Sequence, residues 1–289
     1  MQHIIPRLLT AGLASVLSAA ALSSPARAQQ DSLAEFPSTD WGPFAAQMVE
    51  LKVGSHRAYV VRPIRPAADG SKPWIWYAPS LSTADGKWTL PSDRHAEVVR
   101  PLLEKGFYFC GVDVGESYGS PAGRRTFTEF HRILVDSHGL ALRACLFPVS
   151  RGGLMHYTWA VEHPEFVARI GGIYPVCDLT SYPGLAEAAK TWGTTEEQLA
   201  KDLAKQNPLD RLGPLAAAGV PIFHVHGDAD KSVPLETNSA ELARRYRAAG
   251  KKGAAGKKGA AGKKGAAGGK IEILVLPGKG HEVIPEYWQ

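Results

Sequence analysis

The chain has 289 residues, of which 44% are hydrophobic and 21% charged, and its net charge is +5 at pH 7. This composition is that of a globular protein with enough apolar residues for a sizeable core. Residues 1–28 carry two arginines and no acid, and six lysines fall within positions 251–264, so the rest of the chain has a net charge of −3. A mildly acidic body argues against a nucleic-acid-binding fold.

The first 28 residues have the pattern of a secretory signal peptide. Arg7 precedes an apolar run at positions 8–22, which ends in the small-residue site Ala26-Arg27-Ala28. A bilayer span needs roughly 20 residues, and this run is shorter. We therefore expect cleavage after Ala28 and a secreted or periplasmic protein. The alternative is an uncleaved N-terminal anchor.

Beyond a polar N-terminal arm at 29–47, residues 48–289 alternate between strand-like and helical patterns. Two strand-like stretches at 48–53 and 57–62 suggest an antiparallel start, and near-continuous apolar runs such as 107–114 are typical of strands buried on both faces of a parallel sheet. The alternation predicts an α/β fold with a doubly wound, mostly parallel sheet. The amphipathic helical segment 182–212 lies between two predicted strands, where it would form a short lid.

A tandem repeat interrupts the domain near its end. Lys-Lys-Gly-Ala-Ala-Gly occurs three times in a row within residues 251–268. Two glycines per unit and repulsion between lysines oppose a stable helix, so residues 249–269 are predicted to be an expanded surface loop. Alternatively, the Lys251–Lys264 stretch makes a weak contact with an anionic surface.

The cysteines offer neither a disulfide framework nor a metal site. Cys110, Cys145 and Cys177 are odd in number, lack metal-ligand spacing and lie in or beside apolar runs. Buried free thiols are the simplest interpretation, and one disulfide among the three is the alternative. We expect no metal and no cofactor.

Three polar stretches each follow a strand-like run, and together they supply a nucleophile, an acid and a base. Ser150 lies in Pro148–Gly153, two aspartates lie in 226–234, and His281 follows Gly278 and Gly280. A serine hydroxyl needs a nearby base and a carboxylate that orients this base. Because the carboxyl ends of parallel strands meet at one edge of a sheet, Ser150, His281 and either Asp228 or Asp230 are predicted to meet there.

Other groups complete the predicted site. The backbone N–H of Arg151, at the start of the next helix, and that of Ser80, after the strand at 74–78, are the expected oxyanion donors. The loop after the 107–114 strand would overhang the same crevice. Glu116 or Tyr118 in this loop is therefore a candidate for substrate contact.

From about residue 48 onward the chain resembles exported bacterial hydrolases of the α/β-hydrolase fold, both esterase-like and prolyl-oligopeptidase-like. Residues 227–234 match the segment G-x-x-D-x-x-V-P of this group, which implies that Asp230 is the acid and that Asp228 caps the turn. The resemblance also implies a structural role for Asp113. The Ser150-Arg151 pair is similar to that of glucuronoyl esterases, which makes a carbohydrate ester a candidate substrate.

Two features depart from the group. Position 148, two residues before the serine, is usually glycine and here is proline, which predicts a distorted turn. The chain also ends eight residues after His281, which leaves no room for the helix that usually follows the last strand. The expected function is hydrolysis of a small-molecule or carbohydrate ester through an acyl-enzyme on Ser150. The alternatives are a prolyl-oligopeptidase-like peptidase and a catalytically degraded binding protein.

Overall fold

The computed structural model describes residues 33, 38–41, 44–89, 95–256, 269–283 and 285–288. The predicted signal peptide and residues 257–268 of the lysine repeat lie outside this part of the chain. Within it, no helix combines the length and apolarity that crossing a bilayer requires. The three cysteines are free thiols.

Nine strands form one sheet in the order β1-β2-β3-β5-β4-β6-β7-β8-β9. The strands β1 to β3 and β5 pair in antiparallel fashion, and all other pairs are parallel. The predicted doubly wound, mostly parallel sheet is thus confirmed. The strands are β1 Ser38–Asp40, β2 Gln47–Val53, β3 His56–Val61, β4 Trp74–Ala78, β5 Tyr108–Val112, β6 Ala144–Pro148, β7 Val167–Ile173, β8 Ile222–Gly227 and β9 Ile271–Leu276.

Helices connect the parallel strands and supply the insertion. Their residue ranges are α1 Ala96–Glu104, α2 Pro121–Arg132, α3 Gly152–Ala160, α4 Leu185–Trp192, α5 Glu196–Lys201, α6 Leu203–Gln206, α7 Gly213–Ala218 and α8 Glu241–Gly256. A π-helical turn, Glu236–Ala240, leads into α8.

The larger core lies on one face of the sheet. It joins apolar residues of α2, α3, α7 and α8 to strand residues that include Trp74 and Trp76. Helix α3 is buried along its whole length, because it lies between the sheet and neighbouring helices. The other face carries a smaller core, to which α1 contributes Val99 and Leu103.

The insertion at 182–212 contains α4, α5 and α6. Ala188 and Leu199 of this segment pack in a third cluster with Tyr118, Leu154 and Val176. The predicted helical segment between β7 and β8 is therefore present, and it packs beside α3 and the loop after β5.

Two predicted boundaries are corrected. Strand β1 lies inside the predicted arm, since pairing with β2 extends the sheet by one edge strand. Helix α8 continues to Gly256, so the predicted loop 249–269 begins too early. Adding a residue to an existing helix avoids the cost of nucleation, so α8 extends into the repeat despite a penalty of about 1 kcal/mol for each glycine.

Candidate active site

Ser150 lies in the sharp turn that joins β6 to α3. Its φ is +52°, a left-handed conformation that is costly for a residue with a side chain. Its N–H donates to Ile173 O at 3.0 Å, and its carbonyl accepts the N–H of Gly153 at 2.9 Å. These two bonds hold the strained residue at the carboxyl edge of the sheet.

The two glycines after Ser150 allow α3 to approach its neighbours closely. A Cβ at Gly152 would lie 2.0 Å from Ala78 O, and one at Gly153 would lie 2.2 Å from Val176 O. Both distances are shorter than any tolerable contact with a backbone oxygen. The Ser-Arg-Gly-Gly sequence therefore reflects a steric requirement of this turn.

Pro148 does not prevent the turn. The pairing of β6 with β7 ends at Leu146 and resumes as an isolated bridge between Val149 and Ile173, so Pro148 falls in the gap. On the other side of β6, the N–H of Val149 donates to Ala78 O at 2.9 Å. The missing N–H of proline thus falls where the pairing of β6 with β7 is interrupted.

Ser150, His281 and Asp230 lie in hydrogen-bond contact. Ser150 Oγ is 2.8 Å from His281 Nε2, and His281 Nδ1 is 2.7 Å from Asp230 Oδ2. Since a carboxylate only accepts, Nδ1–H donates to Asp230, and Nε2 is left to accept the serine hydroxyl proton. The serine, the base and the acid come from the turns after β6, β9 and β8.

Asp230 is buried, and its carboxylate accepts several hydrogen bonds. Its Oδ1 accepts the backbone N–H groups of Ser232 at 2.9 Å and Val233 at 2.8 Å. Burial raises the pKa of this carboxyl, but the hydrogen bonds from His281 and Val233 outweigh it, so the pKa lies below its usual value. Asp230 is therefore ionised at neutral pH.

Asp228 connects two turns of the site. Its Oδ1 accepts the N–H of Gly278 at 2.6 Å, and the next residue, Ala229, donates its N–H to Lys279 O at 3.0 Å. These bonds tie the turn that carries Asp230 to the turn that carries His281. Between the two candidate aspartates, only Asp230 contacts the histidine.

Two tyrosines support His281. The ring centroids of Tyr174 and His281 are 4.3 Å apart, and Tyr287 meets Tyr174 edge-on at 4.8 Å. The Tyr287 hydroxyl also donates to Gly280 O at 2.6 Å. Tyr287 belongs to a 3₁₀ turn, Pro285–Trp288, in the segment that was predicted to be too short for a final helix. Neither tyrosine was predicted from the sequence to take part in the site.

The two expected oxyanion donors flank the serine turn. Arg151 directly follows Ser150, and Ser80 follows Pro79, whose nitrogen would be 2.6 Å from a Cβ at Gly152. Ser80 is itself buried, with its hydroxyl donating to Tyr77 O at 3.0 Å. Both residues therefore lie beside the turn that presents Ser150.

The loop after β5 brings a carboxylate to the same edge. Glu116 Oε2 is 2.6 Å from Arg151 Nε, and both side chains are partly exposed. Tyr118 is buried instead and meets Tyr182 of the insertion edge-on, at 6.1 Å between centroids. Asp113 accepts from Ser82 N and Gly115 N, so it organises the two loops around the serine turn.

Comparisons with known proteins support the fold. No family model and no curated protein sequence matches the chain. Among solved structures, the chain is similar to Porphyromonas gingivalis dipeptidyl peptidase 4 (TM-score 0.59, 16% identity, 82% of this chain and 32% of that one). It is also similar to a Mycobacterium tuberculosis puromycin-hydrolyzing peptidase (0.57, 15%, 83% and 37%) and to the carboxylesterase Cest-2923 from Lactobacillus plantarum (0.55, 15%, 82% and 84%).

The chain spans about a third of the length of the two peptidases and most of the length of the carboxylesterase. Identities of 14–16% establish shared architecture and no more. The strand order, the strained serine turn and these likenesses agree. The chain has the α/β-hydrolase fold.

Proposed function

We propose that this protein is a serine hydrolase that cleaves carboxylic esters through an acyl-enzyme on Ser150. The observation that carries the proposal is the contact series Ser150 Oγ–His281 Nε2–Asp230 Oδ2, at 2.8 and 2.7 Å. Nucleophile, base and orienting acid thus stand in the geometry that activates a serine.

In the proposed mechanism, Ser150 Oγ attacks the ester carbonyl while His281 Nε2 takes its proton. Asp230 keeps Nδ1 of His281 protonated and stabilises the imidazolium that forms. The backbone N–H groups of Arg151 and Ser80 would bind the oxyanion of the tetrahedral intermediate. His281 then protonates the leaving alcohol, and a water molecule activated by His281 hydrolyses the acyl-enzyme.

The choice of an ester over a peptide is supported by the carboxylesterase, since 84% of that enzyme's chain corresponds to this one. We also propose that the ester's acyl or alcohol part meets the Glu116–Arg151 pair, which is partly exposed beside the serine. The signal-peptide pattern supports export.

The first test is hydrolysis of short-chain aryl esters by residues 29–289, beside Ser150→Ala. We expect kcat/KM to fall by at least about 10⁴-fold in the variant, with loss of labelling by a fluorophosphonate probe. Ser55→Ala, in the exposed turn between β2 and β3, is the matched control and should keep full activity. If neither wild type nor Ser150→Ala hydrolysed the esters or was labelled by the probe, the proposal would be overturned.

Ester and amide substrates with the same acyl group then separate the two chemistries. An esterase should show a much higher kcat/KM for the aryl ester than for the matching anilide. A higher value for the anilide or for peptides would favour the peptidase alternative.

A further inference from the structure

A chain of buried, hydrogen-bonded polar side chains ends beside Asp230. Its members come from α3, β8 and the π-helical turn before α8, and each is fully buried: Tyr157, His224, His226 and Ser239. The contacts are Tyr157 Oη–His224 Nε2 at 2.7 Å, His224 Nδ1–Ser239 Oγ at 2.9 Å and Ser239 Oγ–His226 Nδ1 at 2.8 Å.

The front of this chain reaches the acid. His226 Nε2 is 2.8 Å from Val233 O and 3.7 Å from Asp230 Oδ2. The second distance is too long for a hydrogen bond but short enough for a strong charge–dipole interaction between two fully buried groups. Val233 also donates its N–H to Asp230 Oδ1 at 2.8 Å, so one residue holds both side chains.

The positions of the hydrogens follow from one acceptor, the carbonyl oxygen of Val233. A carbonyl oxygen only accepts, so His226 Nε2 carries a proton that it donates to Val233 O. In a neutral imidazole, Nδ1 then accepts, and Ser239 must donate to it. Ser239 Oγ accepts in turn from His224 Nδ1–H, and His224 Nε2 accepts from the hydroxyl of Tyr157.

The opposite direction requires a buried cation. If Tyr157 accepted from His224, Ser239 would donate to His224 and could not donate to His226. His226 would then carry protons on both nitrogens. Burial, the largest influence on this ring, lowers the pKa of His226, with Val233 O and Asp230 only partly opposing it. The neutral, unidirectional chain is therefore the stable arrangement.

We propose that His226 is a positioning residue for Asp230. The buried chain holds His226 in the Nε2–H tautomer, so that the ring nitrogen 3.7 Å from Asp230 Oδ2 carries a hydrogen rather than a lone pair. The carboxylate is thereby kept ionised and oriented toward His281 without a second charged group beside it. A catalytic effect of this arrangement rests on the proposed function, whereas the tautomer assignment does not.

Several titratable groups face the chain and could confuse a pH experiment. Asp230 and His281 act on His226 at the front, His226 acts on His224, and Cys177 and Tyr246 act on Tyr157 at the rear. Burial raises the pKa of Tyr157, Cys177 and Tyr246 above their usual values. Among the described residues that face the chain, these three groups therefore do not titrate between pH 5 and 8, and the lowered pKa values of Asp230 and His224 lie below that range.

The first experiment needs no activity. Long-range ¹H–¹⁵N spectra of histidine-labelled wild type should show His226 protonated only on Nε2 and His224 only on Nδ1 at pH 7. His226→Phe and His224→Phe assign the signals. The reverse tautomers, or a doubly protonated His226, would overturn the inference whether or not the protein hydrolyses esters.

The second experiment measures kcat/KM for an aryl ester against pH. His226→Phe keeps the ring volume, and we expect about a tenfold loss with the acid limb displaced upward by about half a pH unit, since the Asp230 charge is less compensated. His226→Gln, which can place an N–H near the same point, should restore most of the loss. His156→Phe, another buried histidine, is the matched control and should leave the profile unchanged.

If His226→Phe fails to fold, Ser239→Ala is the second variant. It removes the hydroxyl that links His224 to His226 but leaves His226 in place. We expect a smaller displacement of the acid limb in the same direction. An active wild type whose profile is the same in all folded variants would refute the positioning role. If wild type neither hydrolysed esters nor reacted with fluorophosphonate, the proposed function would be refuted instead. The spectra would still decide the tautomers.

Discussion

Two histidines in the core, His156 behind the nucleophile turn and His224 behind the acid, are equally buried but differ in their partners. Both are fully buried, and burial lowers the pKa of each to about 3. His156 packs against Trp76 and Phe127, and neither of its ring nitrogens has a hydrogen-bond partner among the described residues. Both ring nitrogens of His224 are bonded.

The difference shows why burial alone does not reveal how much a polar side chain contributes to folding stability. A buried group without partners adds desolvation cost, and replacing it with an apolar group of similar shape removes that cost. A fully bonded group is part of a network, and removing it leaves its partners unsatisfied. The following predictions separate the two cases.

The largest expected effect is a loss of stability in acid, to which both histidines contribute. Unfolded histidine binds a proton near pH 6.5, whereas these two bind one only near pH 3 when folded. Between these values the unfolded chain holds more protons, so stability falls as the pH falls. At pH 4.5 each residue should lower the free energy of unfolding by about 2 to 3 kcal/mol relative to pH 7.

Urea unfolding at pH 7, 5.5 and 4.5 measures this loss. Together the two histidines should lower the free energy of unfolding by about 5 kcal/mol over that range. The pKa of His131 is also lowered by burial and adds to the trend. A free energy that does not change between pH 7 and 4.5 would contradict the assigned burial.

A smaller effect is expected from His224→Phe at pH 7. The change leaves the buried Tyr157 hydroxyl without its acceptor and Ser239 without a donor, so we expect a loss of about 2 kcal/mol. Urea unfolding measures it. Tyr157→Phe, which removes the hydroxyl together with its need for a partner, should cost less than His224→Phe. The reverse ranking would mean that the ring of His224 acts by packing alone.

The smallest effect is expected from His156→Phe at pH 7, within about 1 kcal/mol of wild type in either direction. Between pH 7 and pH 4.5 the same variant should gain about 2 to 3 kcal/mol of stability relative to wild type, since it lacks the proton uptake. Urea curves at both pH values provide the check. A loss of several kcal/mol at pH 7 would show that His156 has a partner after all.

Local patterns were enough to predict the sheet and the residues of the candidate site. The apolar runs ending at Pro148, Gly227 and Leu276 form strands β6, β8 and β9, and their turns carry Ser150, Asp230 and His281. Such patterns work because strand propensity, burial on both faces and turn residues are short-range properties. Pro148 did not prevent the turn at Ser150, since it lies where the pairing of β6 with β7 is interrupted.

The repeat boundary shows where such patterns fail. Glycine and lysine content alone predicted a loop from residue 249, but α8 extends to Gly256 because it grows from a helix already packed against the core. The strand at 38–40 was missed for a similar reason, since its partner β2 decides its conformation.

The amino-acid sequence by itself determined the order of strands and helices, the three turns at the sheet edge and the types of residue they hold. The sequence pattern left Asp228 and Asp230 open, the family resemblance implied Asp230, and in the structure Asp230 contacts His281. Tertiary structure alone decided which tyrosines pack around His281 and how two histidines of the same strand join the buried chain behind the acid. Those outcomes depend on contacts between residues far apart in sequence, such as Tyr157 and His224, which are 67 positions apart. Only packing, which sets such distances to a few tenths of an ångström, can separate a bonded polar group from an unpartnered one.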